Sequence, residues 1–407
     1  MYSLKDFELS KLVNASDRAN DFQKYVDQFD KYEHKSYWIE AHSKIGATMK
    51  LEQSSEEVAS FISNDYLGMS QHPETIQAGI AALKKYGTGA CAAQVIGGYL
   101  DIHHLLESEI AEFVGQEDAL LFSSGFGANA GMLRALLGKN DLALIDSYIH
   151  ASTLAGLEST NTKHIGHNDL EYLETALKND EHNYQTKLVI IDGVYSQNGD
   201  LSRLPETIYL CQKYNAMLMM DDAHGIGVFG ENGRGVAEYL NCMGKIDIIT
   251  GTFSKSLGCV GGFVAASKKM IQYLRYYADS NIFSAAITPQ ATASSLKALE
   301  LVKNQPEIRL KLWENVNYLR KRLRDEGFDI GHSVSPIFPI MIRDNEKVYE
   351  VSELLREKGV YTIGIVYPAV RIKEARLRVS VLASHEKKHL DKLVDALCEI
   401  DKTIKIR

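Results

Sequence analysis

From Phe61 onward the chain alternates short apolar runs with amphipathic stretches. The runs are "ALLFSS", "LALIDS", "KLVIIDG", "MLMMDD", "DIITGT" and "GGFVAAS". Each is brief and has little internal polarity, which suits a strand buried on both faces. Helical periods lie between them. His103 to Val114 places Leu106, Ile110, Phe113 and Val114 on one stripe, with Gly115 where a C-cap is expected. The alternation predicts an α/β domain around a mostly parallel sheet. After about Pro289 the texture changes. Charged helical stretches such as "LKLWENVNYLRKRLRDEG" dominate, and strand-like "PIFPIMIR" and "RLRVSVLA" follow. A final helix carries Leu390, Leu393, Val394, Leu397 and Ile400. This predicts a smaller C-terminal α+β domain. The first 50 residues, rich in charge and aromatics, read as a helical arm. The expected division is an arm over 1–60, a large domain over 61–290 and a small domain over 291–407.

Composition narrows this picture. At 407 residues the chain exceeds what one core usually serves. Lys plus Arg is 45 and Asp plus Glu is 53, a net charge of −8. No basic block stands out, which argues against a nucleic-acid partner. An anionic substrate therefore needs local positive charge. Cys91, Cys211, Cys242, Cys259 and Cys398 are scattered and show no CxxC pairing, against a zinc site or a disulfide framework. No metal is expected. Met1 to Asn20 has no apolar core of a signal peptide. No apolar run approaches the roughly 20 residues of a membrane span. The expectation is a soluble, cytoplasmic protein, with a peripheral membrane contact left open.

Four segments carry candidate chemistry. In "GTFSKSLGCVGGF", Lys255 stands among small and hydroxyl residues just after a buried strand. Thr252 and Ser254 are donors for a phosphate, and a lysine so placed suits Schiff-base chemistry with pyridoxal 5'-phosphate, PLP. The plain alternative is a solvated loop lysine. In "MLMMDDAHGIGVFG" a strand ends in Asp221 and Asp222, followed by His224. A carboxylate there can keep a pyridine nitrogen protonated. The same segment formally matches the dinucleotide fingerprint as Gly225-x-Gly227-x-x-Gly230, which keeps an NAD-binding oxidoreductase as an alternative. In "LFSSGFGANAGM" a strand runs through Ser124, Gly125 and Phe126 into a helix whose free amides suit an anion. In "IDSYIHAST", His150 follows a strand end. All four segments follow predicted parallel strands, so their side chains should meet at the carboxyl edge of one sheet.

With these residues in view, the sequence resembles the α-oxoamine synthase family of fold-type I PLP enzymes. The motifs are "SNDYLG", "GTG", "LFSSGFGAN", "HAS", "DGVYSQNGD", "DDAHGIGVFG", "GTFSKSLG" and "ARLRVSV". That family joins an amino acid to an acyl thioester with loss of carbon dioxide. Within it, "LDIH", "SPIFPIMIR" and "PAV" resemble the branch of the bacterial serine palmitoyltransferases. The resemblance implies a PLP-dependent acyltransferase in lipid metabolism, specifically sphingolipid metabolism, with serine favoured. Glycine, alanine or cysteate synthases of the same family are alternatives, and so is a PLP aminotransferase.

The resemblance also implies residue roles. Lys255 carries the cofactor and Asp221 pairs with its ring nitrogen. His224 and Ser196 lie near its phenolic oxygen, and His150 stacks on its ring. Ser124, Gly125, Phe126, Thr252 and Ser254 surround its phosphate. Ser284 and Thr288 reach the phosphate of the neighbouring subunit in a homodimer with a shared active site. Asn64 and Arg378 bind the amino-acid carboxylate. Two segments depart from the family pattern: Ala93-Gln94, and "YPAVR", where Arg371 adds a charge that could read a second anionic group. The acyl carrier, coenzyme A or acyl carrier protein, stays open.

Overall fold

The computed structural model describes residues 14–31, 37–52, 54–180 and 182–407. The chain forms two compact units. One is Asn64–Leu312; the other joins the segment up to Ser63 with the segment from Trp313 onward.

The larger unit is built on a seven-stranded sheet. Its strands are β1 (Asp118–Phe122), β2 (Leu142–Asp146), β3 (Asn161–Ile165), β4 (Lys187–Asp192), β5 (Met217–Asp221), β6 (Ile248–Thr252) and β7 (Gly262–Ala266). Their spatial order is β1-β7-β6-β5-β4-β2-β3. Only β7 runs antiparallel to its neighbours. The six apolar runs of the sequence are therefore six of the seven strands. Their interiors are buried on both faces, whereas β3 is a half-exposed edge. The core of this unit joins Phe122, Ile145, Ile190, Met219 and Val264 to Met132 and Leu133 of the helix Gly125–Leu136. Each side chain so buried contributes about 1.5–3 kcal/mol. The helix over Asp101–Val114 ends at Gly115, whose φ of 75° is the left-handed cap conformation.

The expected boundary at residue 290 does not divide the units. The helix Pro289–Asn304 lies along the helix Pro73–Tyr86, within the larger unit. They approach so closely that a Cβ on Gly79 would stand 2.7 Å from the Ser294 hydroxyl. In the smaller unit, Arg376–Ser380 is the centre of an antiparallel sheet flanked by Ile337–Met341 and Ile363–Ile365. Its terminal helix, Lys387–Ile404, buries Leu390, Leu393, Val394, Leu397 and Ile400.

The segment expected as a helical arm is mixed. A helix covers Ala15–Lys31, but Thr48–Met49 and Val58–Ser60 are short strands, and the second pairs with Val360–Tyr361. Met49, Leu51 and Val58 are buried together there, and that burial draws the segment into the smaller unit. The beginning of the arm, residues 1–13, lies outside the described residues. No helix among the described residues is long and apolar enough to cross a membrane.

Candidate active site

Five strand ends open on one cavity of about 260 Å³ at the carboxyl edge of the sheet. Its wall contains Ser124, Gly125, Phe126, His150, Ser196, Asp221, His224, Thr252, Ser254 and Lys255, together with Asn129, Ser152, Asp192 and Ala223. Ten residues selected from sequence thus share one wall.

Asp221 is the last residue of β5 and is buried. Its Oδ2 accepts from Asn129 Nδ2 at 2.7 Å and its Oδ1 from the Ala223 amide at 3.0 Å. The second hydrogen of the Asn129 amide goes to Ser152 Oγ at 2.9 Å. Ser152 Oγ lies 2.7 Å from His150 Nδ1, which also accepts from the Ser152 amide at 3.3 Å. A ring nitrogen accepting two donors carries no proton, so His150 bears its proton on Nε2. Desolvation, the larger effect, and the nearby Lys255 charge lower the His150 pKa, while Asp221 opposes them. His150 is therefore neutral at neutral pH.

One side of the cavity is built by close approach. Ser124 caps the helix Gly125–Leu136, its Oγ accepting from the Gly127 amide at 2.9 Å. The Gly125 and Phe126 amides are the first of that helix and have no intrahelical acceptor by geometry. A Cβ on Gly262 would lie 2.5 Å from Gly125 Cα, and one on Gly125 would lie 2.9 Å from Thr252 Cβ. The missing side chains let the helix start press against β6 and β7. Thr252 Oγ1 and Ser254 Oγ, 2.8 Å apart, complete a cluster of donors suited to an anion.

The sequence reading missed Asn129, Ser152, Asp192 and Tyr66. Tyr66 is fully buried and its hydroxyl lies 2.7 Å from His224 Nδ1. Asn129, Ser152 and Tyr66 stand inside the quoted motifs, but only the fold brings them to their partners. Asp192 is buried, and desolvation chiefly, with help from Asp221, pushes its pKa well up. Asp192 Oδ1 and Asn129 Oδ1 are buried without a hydrogen-bond partner among the described residues. Unmatched polar atoms on a cavity wall mark a place where a bound group supplies the partners.

Other expected residues lie elsewhere. Ser284 is beside Ser123, their hydroxyls 3.4 Å apart, and Thr288 is the N-cap residue of Pro289–Asn304; neither lines the cavity. Asn64 Oδ1 accepts from the Tyr66 hydroxyl at 3.4 Å. In the smaller unit, Arg378 is buried in the central strand and donates to Ser380 Oγ at 2.9 Å, while Arg371 is exposed. The dinucleotide reading of Gly225 to Gly230 fails. After β5 the chain makes turns and enters no helix until the single turn Val236–Tyr239, so the strand–helix phosphate site is not formed.

The model of the family "Aminotransferase class I and II" matches residues 56–397. The serine palmitoyltransferase of Bacteroides ovatus is 42% identical over 90% of this chain and 93% of its own. The 8-amino-7-oxononanoate synthase of Thermoanaerobacter pseudethanolicus is 41% identical over 86% of this chain and 89% of its own. The chain belongs to that family, in its α-oxoamine synthase branch. Solved structures agree with this α-oxoamine synthase in fold. A serine palmitoyltransferase from Sphingomonas wittichii superposes with a TM-score of 0.92 at 28% identity, covering 97% of this chain and 100% of the other. Another, from S. paucimobilis with a bound PLP–myriocin aldimine, gives 0.92 at 27% identity over 97% and 100%. This synthase is a PLP-dependent enzyme, and the cavity's lysine, buried carboxylate and anion cradle fit that cofactor.

Proposed function

We propose that this synthase condenses serine with a long-chain fatty acyl thioester, releasing carbon dioxide and the thiol and giving an α-amino ketone. The observation that supports it best is the presence of Lys255, Asp221, His150 and the amide cradle on one cavity wall. PLP bound there supplies an electron sink for bonds broken at Cα.

Lys255 would hold PLP through its amine, and the same amine, when free, would take the Cα proton. Asp221 holds the proton on the pyridine nitrogen, and Asn129 with the Ala223 amide keeps its carboxylate in place. The amides of Gly125 and Phe126 and the hydroxyls of Ser124, Thr252 and Ser254 hold the phosphate. His150, neutral and fixed by Ser152, would offer the cofactor ring an uncharged face. His224, with Nδ1 beside the Tyr66 hydroxyl, and Ser196 serve the phenolic oxygen. Ser284 and Thr288 serve the second subunit of a homodimer. Asn64 and Arg378 bind the amino-acid carboxylate, Arg378 as a bidentate donor. Arg371 reads a second anionic group where the substrate has one, such as cysteate.

Aminotransfer uses the same lysine and aspartate, but the synthase relatives favour condensation. An alanine-using synthase of the 8-amino-7-oxononanoate type is the second reading, favoured by the 41% identity. Thiol release from palmitoyl-CoA, measured with serine, glycine, alanine and cysteate in turn, tests both. Serine alone giving rapid release supports the proposal. Release with none of them, on PLP-loaded protein, overturns it.

A further inference from the structure

His167 is not on the cavity wall, yet it joins two of the segments that are. It follows the edge strand β3 and is largely buried. Its Nδ1 lies 3.1 Å from Asp146 Oδ1 and its Nε2 lies 2.7 Å from Asp200 Oδ2. Ionised carboxylates only accept hydrogen bonds, so both ring nitrogens must donate and the ring is an imidazolium. The Tyr195 ring meets it edge-on at 4.4 Å and the Tyr148 ring lies at 4.6 Å.

The two acids belong to different segments. Asp146 ends β2, and its carboxylate also accepts from the Tyr148 and Asn168 amides, both at 2.8 Å. That turn leads directly to His150. Asp200 closes the hairpin that carries Ser196: the Tyr195 amide donates to Asp200 O at 3.0 Å, and Val194 bridges to Leu201. Asn168 reinforces the join, donating to Leu201 O at 3.0 Å and accepting from the Arg203 amide at 3.1 Å.

We propose that His167 is a positioning residue for the cofactor cavity: its imidazolium, bridging Asp146 and Asp200, fixes the His150 turn and the Ser196 hairpin relative to one another. Charge is essential to this role. A neutral ring has one N–H, so it would leave one of the two acids without its donor and free one segment from the other. The titratable groups around the ring are Asp146, Asp200, Tyr148 and Tyr195, with Asp192 acting on Asp146 from β4. Burial alone would lower the His167 pKa, but the two carboxylates outweigh it and raise it to about 9.

The inference rests on PLP occupying the cavity. Its test is the PLP dissociation constant, read by fluorescence on cofactor-stripped protein across about pH 7 to 10. Wild-type affinity should fall through a step near the raised pKa of about 9. Asp200→Asn, which keeps the shape and removes one carboxylate, should move that step down by about one pH unit. His167→Gln should weaken PLP binding about tenfold at neutral pH and remove the step. A residue that only filled space would leave the position of the step unchanged. An unmoved step in Asp200→Asn, or wild-type affinity in His167→Gln, overturns the proposal. If His167→Gln does not fold, Asp200→Asn decides alone. Wild-type protein that binds no PLP at any pH would instead remove the cofactor assignment.

Discussion

Asn129 Nδ2 donates to Asp221 Oδ2 at 2.7 Å, so a helix that follows one strand holds the carboxylate that ends another. The same amide reaches Ser152, and through it His150, which couples two sides of the cofactor cavity. Asp221→Asn should lower kcat by about a thousandfold, because the protonated ring nitrogen loses its counter-charge in a desolvated site. Asn129→Ala removes one bond to a charged group, worth about 1.5–3 kcal/mol, so a loss of roughly 10- to 100-fold is expected. Steady-state kinetics on the two variants and their combination checks this. The combination should be little worse than Asp221→Asn alone, since Asn129 acts through Asp221.

Lys255→Ala should abolish turnover by about 10³-fold or more, the scale of a lost general base with its covalent anchor. PLP should still enter the cavity noncovalently, held by the cradle. Absorbance after gel filtration separates retained from lost cofactor, and substantial thiol release by this variant would count against Lys255 in both roles.

The cradle gives a different signature. Ser254→Ala should weaken PLP binding by about tenfold, the cost of one hydrogen bond to a charged acceptor, and leave kcat at saturating PLP nearly unchanged. Gly262→Val should be far more damaging, because its side chain would wedge Gly125 away from the donors. A cofactor titration followed by rate measurement distinguishes the two effects.

His167 also ties stability to pH. Its folded-state pKa, about 9, stands above its ordinary 6.5. The bridging contribution is therefore complete below pH 6.5 and is lost as pH rises through about 9. Discounted for solvent screening, that contribution is on the order of 2 kcal/mol. Urea unfolding at neutral and alkaline pH should show the loss in the wild type and a smaller one in Asp200→Asn.

Much of this could be read from sequence because the chemistry sits where patterning is strongest. Six strands are apolar runs, and five of them end beside the residues of interest, so the same pattern marks both strand and site. The seventh, Asn161–Ile165, is polar because it is a half-exposed edge, and apolar periodicity does not mark such a strand. His167 follows this strand and so has no apolar run before it to mark its place. The short strands at 48–60 carry little periodicity because they span two and three residues, and the second has its other partner, Val360–Tyr361, far along the chain. Asn129 and Tyr66 illustrate another limit. Both are in recognised motifs, yet hydrogen bonds across 92 and 158 residues give them their work, and local spacing carries no trace of those partners.

The sheet order places the first strand beside the last, and Gly125 touches Gly262 across that seam. The anion cradle thus depends on β7 standing between β1 and β6. A change that displaces β7 from that seam would therefore open the cradle without touching any of its donors.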